Sequence, residues 1–273
     1  VYSAPESGPL DQAQLAQYEQ NGFLTLHGVF THQEMERQLA EFQRLRQDAH
    51  VRLSDATIRE PGGKQIRSIF AIHEYDSIIA RLCRDRRIVD VAKQILGSEV
   101  YIHQSRVNYK PGFRGKEFYW HSDFETWHVE DGMPAMRALS CSISLTPNTL
   151  HNGPLMVIPG SHRQFLACVG ATPENHYRES LRKQEYGVPD DASLTHMTAQ
   201  GGIEAPTGSA GMVTFFDCNI MHGSNSNITP APRSNVFIVF NSVENALQAP
   251  YCGLAPRPQF IANRRDFAAI EPL

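Results

Sequence analysis

Apolar positions along this 273-residue chain repeat at two different intervals, and the interval changes near residue 98. Before that point they recur every three to four residues, as expected of helices packed on one face. Asp11 can cap a first helix, with Gln14 three residues on and Leu10 and Leu15 placed as a hydrophobic staple. Gly22 stops it, and residues 23–26 read as a short strand. Thr31 and Glu34 predict a capping box for a second helix, stapled by Phe30 and Met35. Met35, Leu39 and Phe42 would form its buried face. A third helical stretch is predicted over 76–96, ended by Gly97.

From residue 99 the interval is two, the period of a strand. Residues 100–109 make the first long strand. In 137–145, Leu139, Cys141, Ile143 and Leu145 alternate with Ala138, Ser140, Ser142 and Ser144. Further strands are predicted at 117–120, 155–158, 211–216 and 235–243. Turns are predicted at Asn152-Gly153, Pro159-Gly160 and Gly223-Ser224-Asn225. Helices first and strands afterwards predict an α+β, mainly β chain built on a jelly-roll core. One domain is expected, with a helical part at 10–97, the jelly roll at 98–245 and a C-terminal segment at 246–273. Residues 165–202 interrupt the strand pattern. Thr172-Pro173-Glu174 can start a helix running to about residue 184, and the insertion is either a lid or surface decoration.

Composition narrows the classes of function. Charged residues are 20% of the chain, the net charge is −4, and no dense Lys/Arg tract argues for nucleic acid. No apolar run approaches the ~20 residues of a membrane helix. The first residues carry neither a basic region nor an apolar core, so no secretory leader is expected among them. Five scattered cysteines without a C-x-x-C pair read as reduced thiols of a cytoplasmic protein.

The candidate chemistry centres on His121-Ser122-Asp123. If the strand over 117–120 continues, residues two apart share a face, so one imidazole and one carboxylate point to the same place. His222 lies about a hundred residues on, after another predicted strand. Two histidines and a carboxylate suit non-haem Fe(II), with positions left for a chelating 2-oxo acid and O2; zinc accepts the same ligands. Arg233 opens the strand after His222. It is either a surface residue after a proline-rich turn or an anchor for a carboxylate, which a guanidinium binds through two parallel hydrogen bonds. Gln104, Arg106 and Asn108 share a strand face that lines a cavity or meets solvent. Trp127 follows the His-x-Asp step as core or as a face for a delocalised cation. Phe118 has the opposite parity to His121, which calls for a bulge or a different wall. His128, His151 and His162 read as structural.

The stretch 118–137 and the segment Gly153-Pro-Leu-Met-Val-Ile-Pro-Gly-Ser-His162 resemble the phytanoyl-CoA-hydroxylase-like Fe(II)/2-oxoglutarate dioxygenases. The core His-Ser-Asp-Phe-Glu-Thr-Trp-His is similar, more narrowly, to the signature of the ectoine hydroxylases, and the likeness extends over 11–270. The resemblance implies a double-stranded β-helix of cupin-like kind, with iron on His121, Asp123 and His222. It implies 2-oxoglutarate at Asn108, Phe118, Ser224 and Arg233, and ectoine at Gln104, Trp127, Phe240 and Arg257. The implied reaction is hydroxylation of ectoine to 5-hydroxyectoine with 2-oxoglutarate and O2 consumed, in a bacterial cytoplasm that accumulates compatible solutes. Alternatives are the same oxidation of another small amino acid such as proline, or a non-catalytic jelly-roll metal-binding module. Neither a membrane nor a nucleic acid is an expected partner; a homodimer is left open.

Overall fold

Helix-end signals in the sequence become caps in the computed structural model, which describes residues 8–60, 65–168, 172–181 and 188–273. Helix α1 (Gln12–Asn21) starts on Asp11, whose carboxylate accepts the Gln14 N–H at 2.8 Å while the Gln14 side chain accepts the Asp11 N–H at 3.0 Å. Strand β1 (Phe23–Leu26) follows. Helix α2 (His32–Gln47) has the expected Thr31–Glu34 box, with Met35 and Phe42 buried beneath it. The short α3 (Ala49–Leu53) leads into β2 (Thr57–Arg59) and β3 (Ile66–Phe70), two strands the periodicity did not announce. All five β3 residues are buried, charged and polar ones included, so no polar–apolar alternation marks it.

The helix expected over 76–96 is divided into α4 (Ile78–Leu82) and α5 (Arg86–Leu96). Asp85 causes the break: its backbone is extended and its carboxylate caps α5 by accepting the Arg87 N–H at 2.9 Å. Then come β4 (Val100–Lys110), β5 (Phe118–His121), α6 (Asp123–Asp131), β6 (Ala138–Ser144) and β7 (Leu155–Val157). In the insertion, α7 (Tyr177–Ser180) is shorter than the helix expected from residue 172, whose last part lies outside the described residues; α8 (Asp191–Gly201) was not expected. Strands β8 (Val213–Asp217), β9 (His222–Ser224) and β10 (Arg233–Ser242) complete the set. Gly223 and Ser224, expected in a turn, belong to β9, because both flanking strands take their pairing.

Among the described residues the strands form a seven-stranded sheet, ordered β1-β8-β6-β10-β4-β3-β2, and a three-stranded sheet, ordered β5-β9-β7. Every pairing is antiparallel, giving the expected jelly-roll architecture. The N-terminal part is not purely helical: it supplies β1, β2 and β3 to the edges of the large sheet. One face of that sheet carries Leu139, Cys141, Ile143, Val236 and Ile238 into the main apolar core with Met35, Phe42 and Ile88 of the helices. The serine face of β6 is not solvated either; Ser140 and Ser142 are buried on the side facing the small sheet. A bulge in β4 governs what points there. Val239 pairs with Gln104 but Phe240 pairs with Ile102, so His103 is the extra residue. Before it Val100 and Ile102 face the main core; after it Gln104, Arg106 and Asn108 face inward, between the sheets.

Candidate metal centre and its cavity

The small sheet brings the expected ligands together. His121 at the end of β5 and His222 at the start of β9 are direct partners in the antiparallel ladder. The His-x-Asp step works differently from the expectation: the strand stops at His121 and Asp123 is the first residue of α6. The turn is held from outside, since Phe124 N–H donates to the Cys218 carbonyl at 2.8 Å and the Ser122 hydroxyl donates to Asn219 Oδ1 at 3.1 Å. Thus the loop before His222 fixes the ligands of the other segment.

The ligand atoms of His121, Asp123 and His222 lie within 4.8 Å of one another. Asp123 Oδ1 is 3.6 Å from His121 Nε2, and Oδ2 is 3.7 Å from His222 Nε2. Each imidazole donates its Nδ1–H to a carbonyl, of Tyr119 at 2.7 Å and of Ile220 at 3.0 Å, so both Nε2 lone pairs face the carboxylate. Burial alone would raise the Asp123 pKa, but His222 and His121 beside it hold the carboxyl well below the usual range. Burial, with His121 beside it, lowers His222 to about 4. At neutral pH Asp123 is therefore a carboxylate and His222 a neutral imidazole, the forms in which those two groups ligate a divalent cation. Donor pairs on such an ion stand about 3 Å apart for bonds of about 2.1 Å, so a slight contraction closes the site.

Phe118 lies over His121 with ring centroids 4.9 Å apart, placed there by a register shift between the two in the β5–β9 ladder. The bulge is one of the two alternatives its parity had left. The cluster opens into a cavity of about 120 Å³ between the sheets. Pairs of β10 and β4 run beneath it from Arg233 opposite Lys110, through Asn235 opposite Asn108 and Phe237 opposite Arg106, to Val239 opposite Gln104, all but Asn235 and Val239 lining the cavity.

The first end is short of negative charge. Arg233 is 6% exposed, and its buried Nη1 has no hydrogen-bond partner. Burial and the neighbouring Arg67 lower its pKa to about 10. Lys110 donates to Ser224 Oγ at 2.9 Å and to the Asn225 carbonyl; burial, Arg233 and Arg67 lower it to about 6. Arg67 is already engaged, with Glu60 at 3.1 Å and over the Phe118 ring. Asn108 accepts from Ser68 Oγ at 2.8 Å. An anion at this end would meet the unpartnered Nη1 of Arg233 and an amine, Lys110, able to take up a proton.

A model of the phytanoyl-CoA dioxygenase family matches residues 18–235. The chain belongs to that family. Among relatives, this family member is 59% identical over 264 residues to the ectoine dioxygenase of Bordetella bronchiseptica, covering 97% of this chain and 86% of that one. It is 50% identical over 272 residues to the ectoine dioxygenase of Streptomyces coelicolor, covering 99% and 91%. Its fold superposes on the crystal structure of EctD from S. alaskensis with 2-oxoglutarate and 5-hydroxyectoine at a TM-score of 0.88, with 49% identity, covering 98% of this chain and 89% of that one.

The other end of the cavity in this phytanoyl-CoA dioxygenase family member carries most of the residues expected for the substrate. Gln104 donates to the Ile261 carbonyl at 2.7 Å and accepts from Arg106. Trp127, on α6, is buried with one face on the apolar cluster of Phe124 and Met133, and also lines the cavity. Arg257 is not a free cation: Asp131 takes its Nε and Nη2. Phe240 does not reach the cavity. It has the parity of Val236 and Ile238 and is wholly buried in the main core, whereas Phe237 lines the wall. His128, His151 and His162 stay outside the cavity wall. Sequence reading missed Lys110, Arg67 and Asp131. Lys110 shares the parity of Gln104, Arg106 and Asn108, which was the available signal; Arg67 sits on a strand without alternation, and Asp131 gave none.

Proposed function

We propose that this chain is an Fe(II)- and 2-oxoglutarate-dependent dioxygenase that hydroxylates ectoine to 5-hydroxyectoine. The observation that carries this reading is one cavity with a His121–Asp123–His222 ligand face in its wall and a buried, unpartnered guanidinium at one end of its floor. The names of relatives at 50–59% identity over nearly the whole chain supply the substrate.

Iron, when bound, supplies activation of O2 coupled to oxidative decarboxylation of 2-oxoglutarate to succinate and CO2, with one oxygen atom left for the substrate. The protein's part is placement. Arg233 receives the distal carboxylate of 2-oxoglutarate as a two-toothed pair, with Lys110, Ser224 and Asn108 around it. Phe118 covers the carbon chain beside His121. Ectoine, a cyclic amidine with a carboxylate, lies at the other end, its amidinium against Trp127 and its carboxylate toward Arg257, with Gln104 as a further polar partner. A rigid pocket of this kind keeps the reacting C–H close to the metal face and excludes competing geometries. We read the reaction as cytoplasmic; its need for 2-oxoglutarate and ferrous ion, and five free thiols, support that reading.

The test is incubation with Fe(II), 2-oxoglutarate, ascorbate and ectoine. Succinate and 5-hydroxyectoine are expected to accumulate together. Absence of ectoine-dependent succinate, or clear preference for proline, overturns the reading.

A further inference from the structure

Arg257 stands between two voids. One is the cavity of the metal cluster; the other, of about 280 Å³, is walled by Glu130, His176, Cys252 and neighbouring loops. Arg257 belongs to a C-terminal segment without helix or strand, so its backbone alone does not choose between them. Its side chain is fixed by Asp131, which is 0% exposed. Arg257 Nε donates to Oδ1 at 2.7 Å and Nη2 to Oδ2 at 2.5 Å, a parallel fork. His103, the extra residue of the β4 bulge, brings Nε2 to 3.4 Å from the same Oδ2. Its ring meets Trp127 edge-on, centroids 5.3 Å apart. Arg264 donates to the Asp131 backbone carbonyl.

Asp131 also has a defined place relative to the metal. Asp123, Trp127 and Asp131 follow one another at four-residue steps on α6, so they share one side of the helix. Eight residues of α-helix rise about 12 Å, a fixed length between the first and the last.

We propose that Asp131 is a positioning residue for substrate selection. It clamps Arg257 on the metal side of the partition and, through His103, steadies Trp127. A single helix then sets the distance from the metal face to the group that holds the substrate carboxylate. The clamp also offsets the Arg257 charge, so this wall presents directed N–H donors with little net charge and favours a zwitterion over a simple anion. The inference rests on the reading of ectoine as substrate. The next acid acting on Arg257 is Glu130, on the second-cavity wall, whose Oε1 lies 2.7 Å from His176 Nδ1; without Asp131, Arg257 is expected to turn toward it.

The experiment uses the full chain with Fe(II) and 2-oxoglutarate and compares wild type, D131N, D131E and the double variant D131N/E130Q. D131N is expected to raise KM for ectoine about tenfold or more, the scale of one lost charged contact. Succinate should then exceed 5-hydroxyectoine, while iron content and 2-oxoglutarate affinity stay at wild-type values. D131N/E130Q should recover part of the KM, because the competing acid is gone. Wild-type KM and coupling in D131N overturn the proposal, and so does equal loss of iron and of 2-oxoglutarate affinity. If D131N does not fold by thermal melting, D131E decides, since it keeps the charge and moves it by one methylene; wild-type KM and coupling there overturn the proposal. A wild type inert on ectoine sinks the substrate reading instead, and the clamp is then judged from a crystal structure of D131N or D131E. Arg257 displaced from its wild-type position supports the clamp, and an unmoved Arg257 overturns it.

Discussion

At the residue scale the anion end of the cavity is the most exacting feature. Arg233 and Lys110 are direct partners across β10 and β4, and Arg233 raises the electrostatic cost of charging Lys110. Arg233→Ala is expected to raise the Kd for 2-oxoglutarate about ten- to hundredfold, since a charge-assisted pair contributes roughly 1.5–3 kcal/mol. Calorimetric titration checks it, and unchanged affinity rules out the anchor role. Lys110 makes the same affinity depend on pH. In the free site its pKa is about 6, so it is largely neutral above pH 7. An arriving dicarboxylate favours the charged amine and raises that pKa. Binding therefore takes up a proton between pH 6 and the new value, and affinity weakens as pH rises through that window. Titrations in two buffers of different ionisation enthalpy should show the uptake, and Lys110→Met should abolish it.

At the element scale α6 unites the chemistry, and its two ends are made differently. Its start has no side-chain cap from Ser122 and relies on the loop before His222. Its end is Gly132 at φ +69°, where an added Cβ would lie 2.4 Å from the Gln248 carbonyl oxygen and 2.5 Å from that of Ala249. Gly132→Ala should destabilise the fold by about 1–2 kcal/mol from backbone conformation alone, and by more once those carbonyls must move. Urea unfolding measures the loss. KM for ectoine should rise as well, because Asp131 is the preceding residue; a variant as stable as wild type would show that the carbonyls yield freely.

At the scale of the molecule the candidate metal site joins segments a hundred residues apart in sequence. Its ligands lie on β5, α6 and β9, so an ion there would cross-link these segments as well as serve as a reagent. Ferrous ion at about 100 times its Kd is expected to add about 2.7 kcal/mol to stability by mass action. Thermal melting with the ion and with a chelator checks this, and His121→Ala should remove the difference. No described helix is long and apolar enough to cross a membrane.

Periodicity, caps and turn residues are local, and so both ends of α1, the start and buried face of α2, and most strands were legible in the chain, whereas α3, α6 and α8 were not. The meeting of His121, Asp123 and His222 was legible too, because few residue types can ligate a metal. Long-range pairing settled the rest. Asp123 begins a helix because Cys218 and Asn219 satisfy its turn from across the fold. The β4 bulge at His103 decides that Gln104, Arg106 and Asn108 face the cavity, while strand parity sends Phe240 to the main core. The pairing of Arg257 with Asp131 depends on two segments 126 residues apart meeting at one buried carboxylate. Short-range preferences specify conformation, but which side chain faces a cavity follows from register, and register exists only once strands have found their partners.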